Sequence, residues 1–133
     1  QKAWDLLNSV RTRAEATSIT EANYDEMMSA RKKTHNLTFI DDSTPEGKFR
    51  TALYWERGFE LAFEGQRKYD LIRWGVLGKA LKLFGEISSV NQKENKPYPA
   101  YRNFTEGKHE LFPIPLKEIQ SNPKLNGMNN NGY

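Results

Sequence analysis

Residues 55–75 read WERGFELAFEGQRKYDLIRWG, and the rest of the chain is organised around this stretch. Its 21 residues include four Arg or Lys, four Asp or Glu and five aromatic residues. A density this high is typical of a half-buried helical segment, because large aromatic rings stabilise a helix mainly when they are buried against other residues. We therefore expect the rings to pack against the core and the charges to form ion pairs.

The start of a long helix is signalled just before this stretch, at Thr44-Pro45-Glu46. The threonine hydroxyl can accept a free backbone N–H, proline is preset for the first helical position, and glutamate faces the positive end of the helix dipole. From there, apolar residues at steps of three and four predict one core-facing stripe. Its members are Phe49, Ala52, Trp55, Phe59, Ala62 and Phe63.

Three glutamates, Glu56, Glu60 and Glu64, follow at i, i+4 and i+8 on another face of this helix. Like charges at this spacing repel one another. We therefore expect them to pair with Arg57, with Arg67 or with a base from a distant element.

Two glycines divide the stretch into helical pieces. Gly65 stands where the first helix can stop or bend, and Gly75 is placed to end a second piece over residues 66–74. The predicted apolar anchors of the second piece are Tyr69, Leu71, Ile72 and Trp74, with Arg67, Asp70 and Arg73 at i, i+3 and i+6.

Two ordered motifs carry a resemblance to a known family. The first consists of Glu56-Arg57, the run ELAFEG at residues 60–65, Arg67, Tyr69-Asp70-Leu71 and Arg73-Trp74-Gly75. The second consists of Leu111, Pro113-Ile114-Pro115, Glu118, Asn122-Pro123, Leu125 and Gly132-Tyr133. They resemble the hallmark segment and the closing signature of the SusD/RagB family, the glycan-binding lipoproteins on the outer surface of Bacteroidota.

The resemblance implies a SusD-like C-terminal region whose earlier helices are missing from residues 1–133. It also implies non-catalytic capture of an oligosaccharide or polysaccharide, in partnership with a TonB-dependent, SusC-like transporter that imports the glycan. The protein is then a surface-exposed lipoprotein of the outer membrane, attached only through a lipid anchor upstream. The motif residues that we expect to be structural are Glu56, Arg57, Glu60, Glu64, Gly65, Arg67, Asp70, Arg73 and Trp74.

Length and composition limit the organisation of the chain. With 133 residues, 37% of them hydrophobic, the chain can form one core of ordinary size. We expect residues 1–133 to be a single piece, all-α, mostly helical with long loops and at most a short strand pair. No run approaches the roughly 20 apolar residues of a membrane span, and the absence of cysteine excludes disulfides and thiol chemistry.

The net charge of +3 comes from 20 basic and 17 acidic residues that are interspersed along the chain. A nucleic-acid binder is expected to cluster its bases on one face. The only basic run, Arg31-Lys32-Lys33, is typical of a solvated helix end. We predict no nucleic-acid partner.

Residues 86–107 show no helical period and are the first place to look for a ligand site, since long loops inside compact domains are usually functional or disordered. Sugars are held by aromatic rings and by planar amides and charged groups. Tyr98, Tyr101 and Asn103 have this chemistry and are our predicted ligand-binding residues. The alternative is that the two tyrosines only fasten the loop to the core.

The other patterns predict short elements joined by loops. Residues 3 to about 16 form an amphipathic helix with Arg11 and Arg13 outward. The remaining predictions are a helix ending near residue 33, a short helix ending near Gly85, a brief strand at residues 110–112, one helical turn at 115–120 and polar surface coil at 126–131.

Two alternative functions remain open. The first is a structural or protein-interaction scaffold, with the sugar site upstream. The second is a glycan-acting enzyme with Glu60 or Glu64 as the acid, although glycoside hydrolysis needs two carboxylates across a cleft and one helix face does not provide them. His35 and His109 lack metal-ligand spacing, and we predict neither a metal nor a cofactor.

Overall fold

The computed structural model of the chain describes residues 1–91 and 99–133. The helices in these residues are α1 (Lys2–Arg13), α2 (Tyr24–His35), α3 (Pro45–Glu60), α4 (Arg67–Arg73), α5 (Leu77–Asn91), α6 (Pro99–Arg102) and α7 (Leu116–Ser121), followed by a 3-10 helix at Pro123–Leu125. No strand occurs within these two ranges. The prediction of an all-α fold is confirmed, and the predicted brief strand at residues 110–112 is wrong.

Contacts within the chain define two compact units, which we call the N-terminal unit (Gln1–Asp70) and the C-terminal unit (Leu71–Tyr133). That residues 1–133 form a single domain piece stays a prediction. In the described ranges, no helix combines the length and the apolar character that crossing a bilayer requires.

The core of the N-terminal unit lies among α1, α2 and α3, as their apolar periods predict. The Phe49 ring of α3 packs edge-on against Trp4 of α1, with 5.1 Å between ring centroids. Ile19 and Tyr24 are almost completely buried in this core. The buried members of the cluster are Trp4, Leu7, Ile19, Tyr24, Met28 and Ala52.

Helix α3 begins as its sequence predicts. The Gly47 N–H donates to Thr44 Oγ1 at 3.1 Å, with Pro45 in the first turn. Gly47 is also required for a close approach, because a Cβ built there would come within 1.6 Å of the Asp41 carbonyl oxygen. No side chain fits at that position without moving the backbone.

The predicted apolar stripe of α3 is wrong at its C-terminal end. The helix stops at Glu60, and Phe63 adopts a left-handed backbone with φ of 66°. Ala62 and Phe63, beyond the helix end, are exposed, and Phe59, in the last turn of α3, is 54% exposed. Tyr69, which we predicted to be an anchor of the next helix, is exposed as well.

In the C-terminal unit, Gly75 ends the helical turn before it as predicted. Its φ is 66°, and its N–H donates to the Ile72 carbonyl at 2.9 Å, while the Val76 N–H donates to Leu71. This pair of bonds satisfies carbonyls that a helix end would otherwise leave free.

Helix α5 is longer than the sequence predicts, because it continues past Gly85 to Asn91, and α6 follows at Pro99–Arg102. The two α5 glycines, Gly78 and Gly85, are close-packing positions. A Cβ built at Gly78 would lie 2.6 Å from the Phe104 ring, and one built at Gly85 would lie 3.1 Å from the Tyr101 ring. The missing side chains thus make room for two aromatic rings on one side of α5.

The polar tail, which we predicted to be plain surface coil, holds the backbone of residues 111–114. The Ile114 N–H donates to Asn129 Oδ1 at 2.7 Å, and Asn129 Nδ2 donates to the Ile114 carbonyl at 3.3 Å. Asn130 Nδ2 donates to Phe112 O, and the Tyr133 hydroxyl donates to Leu111 O. We call this set of bonds the asparagine clamp; it occupies backbone groups that a partner strand would otherwise use.

Candidate functional site

The C-terminal unit contains a cleft of about 390 Å³ beside α5. Its volume falls within the usual range for small-molecule sites, roughly 300–1,000 Å³. Apolar side chains, two aromatic rings and charges of both signs line it together. The lining residues are Leu71, Ile72, Gly75, Leu77, Gly78, Lys79, Lys82, Tyr101, Phe104, Glu106 and Glu110.

The glycines of α5 place the aromatic rings of the cleft. The Phe104 ring packs on Gly78 and the Tyr101 ring packs on Gly85, each in the space that a Cβ at the glycine would need. The Phe104 N–H also donates to the Tyr101 carbonyl at 3.2 Å, which forms a turn between the two rings. The cleft therefore depends on two positions in α5 that have no side chain.

The charged groups of the cleft come from two elements. Lys79 and Lys82 belong to α5 and are exposed. Glu110 is half-buried, and its Oε2 is buried without a hydrogen-bond partner among the described residues. A buried carboxylate oxygen without a partner is costly, so a rotation of Glu110 that brings this oxygen to a ligand hydroxyl would be stabilising.

A histidine orders the turn that brings Glu106 and Glu110 to the cleft. The Thr105 N–H donates to His109 Nδ1 at 2.7 Å, so Nδ1 carries no proton in this arrangement. The His109 ring also packs near Phe104, with 6.0 Å between centroids, and edge-on to Tyr133 at 6.4 Å. These contacts tie the turn to the ring at Phe104 and to the end of the chain.

Of the three ligand residues predicted from the sequence, the structure puts one at the cleft. Tyr101 lines it, while Asn103 is exposed and is not among the described lining residues. Tyr98 lies outside the described residues. Ligand binding by these three residues stays a prediction.

The α3 glutamates that we expected in ion pairs lie in different settings. Glu56 Oε2 is 2.5 Å from Arg11 Nη1, and both side chains are largely buried. Arg11 also donates through Nε to the Thr17 carbonyl at 2.8 Å. The prediction that Arg11 points outward is wrong, because it bridges α1 to α3. Glu60 pairs with Arg13, and Glu64 is exposed in the loop after α3.

Two arginines connect α3 to the start of α4. Arg57 donates through Nε and Nη2 to the two oxygens of Asp70, at 2.7 and 2.9 Å, and the Asp70 side chain is only 6% exposed. Arg67 donates to the Tyr54 carbonyl at 2.9 Å and lies 3.8 Å from the centroid of the Tyr54 ring. A side chain at Gly58 would meet the Arg67 guanidinium at 3.6 Å.

The three remaining motif residues, Gly65, Arg73 and Trp74, lie in the loop after α3 or at the end of α4. Gly65 has a left-handed backbone and is exposed, Arg73 is exposed, and Trp74 is half-buried. A structural role for the whole set stays a prediction.

The comparisons with known proteins agree with these motifs. A family model described as the SusD family matches residues 1–133. The chain belongs to the SusD family. The resemblance given by its two motifs is thus confirmed at the level of the family.

Two relatives from Formosa agariphila show the extent of the similarity. This SusD-family chain is similar to SusD-like protein P25, with 40% identity over 87 residues, which is 64% of this chain and 15% of that protein. It is also similar to SusD-like protein P2, with 34% identity over 94 residues, which is 71% of this chain and 16% of that protein. The matched part is therefore about one sixth of each relative. No solved structure matches the chain significantly.

A charged network surrounds Tyr24 in the N-terminal unit of this SusD-family chain. The Tyr24 hydroxyl donates to Asp42 at 2.7 Å, and Lys32 bridges Asp42 and Asp25 at 2.8 and 3.2 Å. Burial raises the pKa of Tyr24 far above its ordinary value. Partial burial works to raise the pKa of Asp42, but hydrogen bonds from Lys32 and Tyr24 outweigh it and lower that pKa.

Metal ligands do not cluster in the part of the chain that the structure describes. No group of three or more His, Cys, Asp or Glu residues there is arranged to hold an ion. His35 packs edge-on to Trp55, with 6.3 Å between centroids. The cleft at α5 is the candidate site because its lining combines aromatic rings with charged groups.

Proposed function

We propose that this protein binds oligosaccharide without chemically changing it and acts in glycan uptake with a TonB-dependent, SusC-like transporter. Its place in this proposal is the surface of the outer membrane, as a lipoprotein. Membership of the SusD family supports the class of ligand, and the cleft beside α5 supports a binding position within this chain.

The observation that carries the proposal is the mixed lining of the cleft. Tyr101 and Phe104 offer ring faces on which the C–H face of a sugar can stack, and Lys79, Lys82 and Glu110 offer donors and an acceptor for hydroxyl groups. An apolar pocket with a few convergent polar groups is the usual composition of a small-molecule site.

Hydrolysis is less well supported than binding. A glycosidase needs two carboxylates on either side of the scissile bond. Glu106 and Glu110 belong to one turn, and the cleft residues from α5 include two lysines and no acid. Glu60, a candidate acid from the sequence, is paired with Arg13.

A scaffold role is the second candidate, and one observation favours it. Tyr101 packs on Gly85, so its ring fastens α6 to α5 whether or not a sugar is present. In that case the sugar contacts belong to residues outside this chain.

Calorimetric titration with neutral oligosaccharides separates the two candidates. Tyr101→Phe keeps the packed ring and removes the hydroxyl, and Lys82→Gln removes an exposed donor at the cleft. We expect each to weaken binding about 5- to 10-fold, which corresponds to roughly 1 kcal/mol for one hydrogen bond. Lys117→Gln, exposed on α7, is the matched control and leaves the affinity unchanged.

Two results would contradict the cleft as the site. If the wild-type protein binds none of the oligosaccharides, the scaffold role is the better description. If it binds and both cleft variants match the wild type, the sugar lies elsewhere. Co-purification with a SusC-like transporter from outer membranes tests the partnership, and its absence in the presence of glycan would count against it.

A further inference from the structure

Arg31, in the last turns of α2, lies over a pair of aromatic rings from α3. Its Cζ is 4.6 Å from the centroid of the Phe59 ring and 5.6 Å from that of Trp55. The two rings are nearly parallel, with an interplanar angle of 18° and 6.1 Å between centroids. The guanidinium thus makes cation–π contacts with two rings of α3.

Arg31 differs from the other arginines of the N-terminal unit in what its N–H groups contact. Residues 1–70 are all described, and each of the other five arginines has an acceptor there: Glu56 for Arg11, Glu60 for Arg13, Glu46 for Arg50, Asp70 for Arg57 and the Tyr54 carbonyl for Arg67. The side-chain N–H groups of Arg31 have no ion pair or hydrogen bond with any residue that the structure describes.

The surroundings of Arg31 are positive and partly closed. Burial and the nearby charge of Arg11 lower the pKa of Arg31, and Glu56, the acid that partly offsets them, is itself bound to Arg11. Arg31 is half-buried, whereas Phe59 is 54% exposed. A ligand from solvent can therefore reach both groups.

The chemistry of a stacked guanidinium selects its ligand. A cation–π contact does not provide a hydrogen-bond acceptor, so the five N–H donors of the guanidinium remain available to a ligand. A planar carboxylate matches two parallel N–H groups of this fork. The exposed Phe59 ring beside it suits the C–H face of a sugar.

We propose that Arg31, Trp55 and Phe59 form a subsite for the carboxylate of an acidic sugar unit, of the uronic acid class. The subsite lies in the N-terminal unit and is separate from the cleft beside α5. Its assignment to a sugar rests on the proposed function, whereas its preference for a carboxylate rests on Arg31. The protein is then a receptor for acidic glycans.

The test compares two ligands that differ only at C6, which is a carboxylate in one and a hydroxymethyl group in the other. Oligogalacturonate and the same oligosaccharide with its carboxyl groups reduced to alcohols are titrated into the wild-type protein, Arg31→Gln, Arg31→Lys and Phe59→Leu. We expect the wild type to bind the acidic form about 10- to 100-fold more tightly, and Arg31→Gln to remove that difference. Arg31→Lys keeps the charge and loses the fork, so it keeps only part of the preference.

Two controls make the result specific. Arg50→Gln removes an exposed arginine that pairs with Glu46 in the first turns of α3, and it leaves the preference intact. Circular dichroism checks that each variant is folded. If Arg31→Gln is not, Phe59→Leu, which keeps the guanidinium and removes the exposed ring, tests the same subsite and must weaken acidic binding.

Each other outcome overturns the proposal in a recognisable way. Equal affinity for both sugars, with no effect of Arg31→Gln, leaves oligosaccharide binding in place and removes the acidic subsite. Failure to bind either sugar contradicts the proposed function as well. Binding of an acidic peptide through Arg31, with no binding of the uronate, would assign the site to a protein partner instead.

Discussion

In the N-terminal unit, arginine side chains join helices that are distant in sequence. In the C-terminal unit, glycines allow aromatic rings to pack against a helix backbone, and asparagine side chains form hydrogen bonds with backbone groups. Eight of the eleven buried hydrophobic residues in the described ranges belong to the N-terminal unit, and Leu71, Leu77 and Ala80 are the three of the C-terminal unit. The C-terminal unit therefore depends more on close packing against α5 and on the asparagine clamp.

Because of this difference, the two units should respond differently to substitution, salt and pH. A charge that pairs across a core is costly to leave alone but is sensitive to salt and pH. A neutral side-chain bond to the backbone is smaller and is almost indifferent to both. Substitutions should therefore separate the units by size of effect and by dependence on solution conditions.

The largest effect is expected for Arg57→Ala, which removes the two-bond partner of the buried Asp70 carboxylate. Because Arg57 is one-third exposed and Asp70 has further interactions, we expect the lower end of the usual range, about 3 kcal/mol of unfolding free energy. Chemical denaturation measures it. Arg50→Ala, at an exposed ion pair, is the control and should lose less than about 0.5 kcal/mol. A loss below about 1 kcal/mol for Arg57→Ala would show that the buried pair does not stabilise the N-terminal unit.

The next effect is expected at the asparagine clamp. Asn129→Ala removes both bonds to the Ile114 backbone and should destabilise by about 2 kcal/mol. Asn129→Asp keeps the acceptor for the Ile114 N–H and loses the donor, so it should have a smaller effect. Hydrogen exchange of the Ile114 amide reports the clamp directly. Equal protection in Asn129→Ala and the wild type would mean that the clamp is dispensable.

A smaller effect is expected for Gly78→Ala in α5. The added Cβ would meet Phe104 at 2.6 Å, and the strain of overpacking should exceed the gain in helix propensity by about 1 kcal/mol. In Gly78→Ala combined with Phe104→Leu, the smaller side chain should recover part of the loss, which a double-mutant cycle measures. A net gain in stability for the single variant would show that the ring moves aside freely.

The smallest effect at neutral pH concerns Asp42, and here the dependence on pH is the informative part. Its folded pKa lies below the ordinary value of 3.8, so its contribution is present above about pH 4 and is lost as the pH falls through the folded pKa. Asp42→Asn should lose less than about 1 kcal/mol at pH 7. It should also flatten the acid side of the stability profile. An unchanged profile would show that the network around Tyr24 is not linked to folding.

The sequence predicts the N-terminal unit better than the C-terminal one because its signals are local. The cap at Thr44 and the apolar periods of α1 to α3 lie within a few residues of the elements that they specify. The prediction for Arg11 is wrong because helical periodicity places a charged residue outward, and its partner Glu56 is 45 residues away. The prediction for Phe63 is wrong because no sequence pattern indicates a left-handed phenylalanine after the helix end.

In the C-terminal unit the same residue types have roles that local rules do not distinguish. The sequence predicts a helix end near Gly85, but this glycine is a contact position for Tyr101 inside a longer helix. The sequence predicts surface coil at Asn129 and Asn130 because their partners lie 15 and 18 residues away. Of the cleft, only Tyr101 was proposed from sequence. The seven-residue spacing of Gly78 and Gly85 places both glycines on one side of α5, and this is the sequence signal for the other aromatic residue of the cleft, Phe104.

Phe63 combines a left-handed backbone with an exposed ring. An L-residue in the left-handed region carries roughly 1–2 kcal/mol of strain that glycine does not. Its ring is fully exposed, so apolar burial within this chain does not offset that strain. Within the described residues, the chain therefore carries a backbone strain at position 63 that its own packing does not repay, and glycine at this position would relieve it.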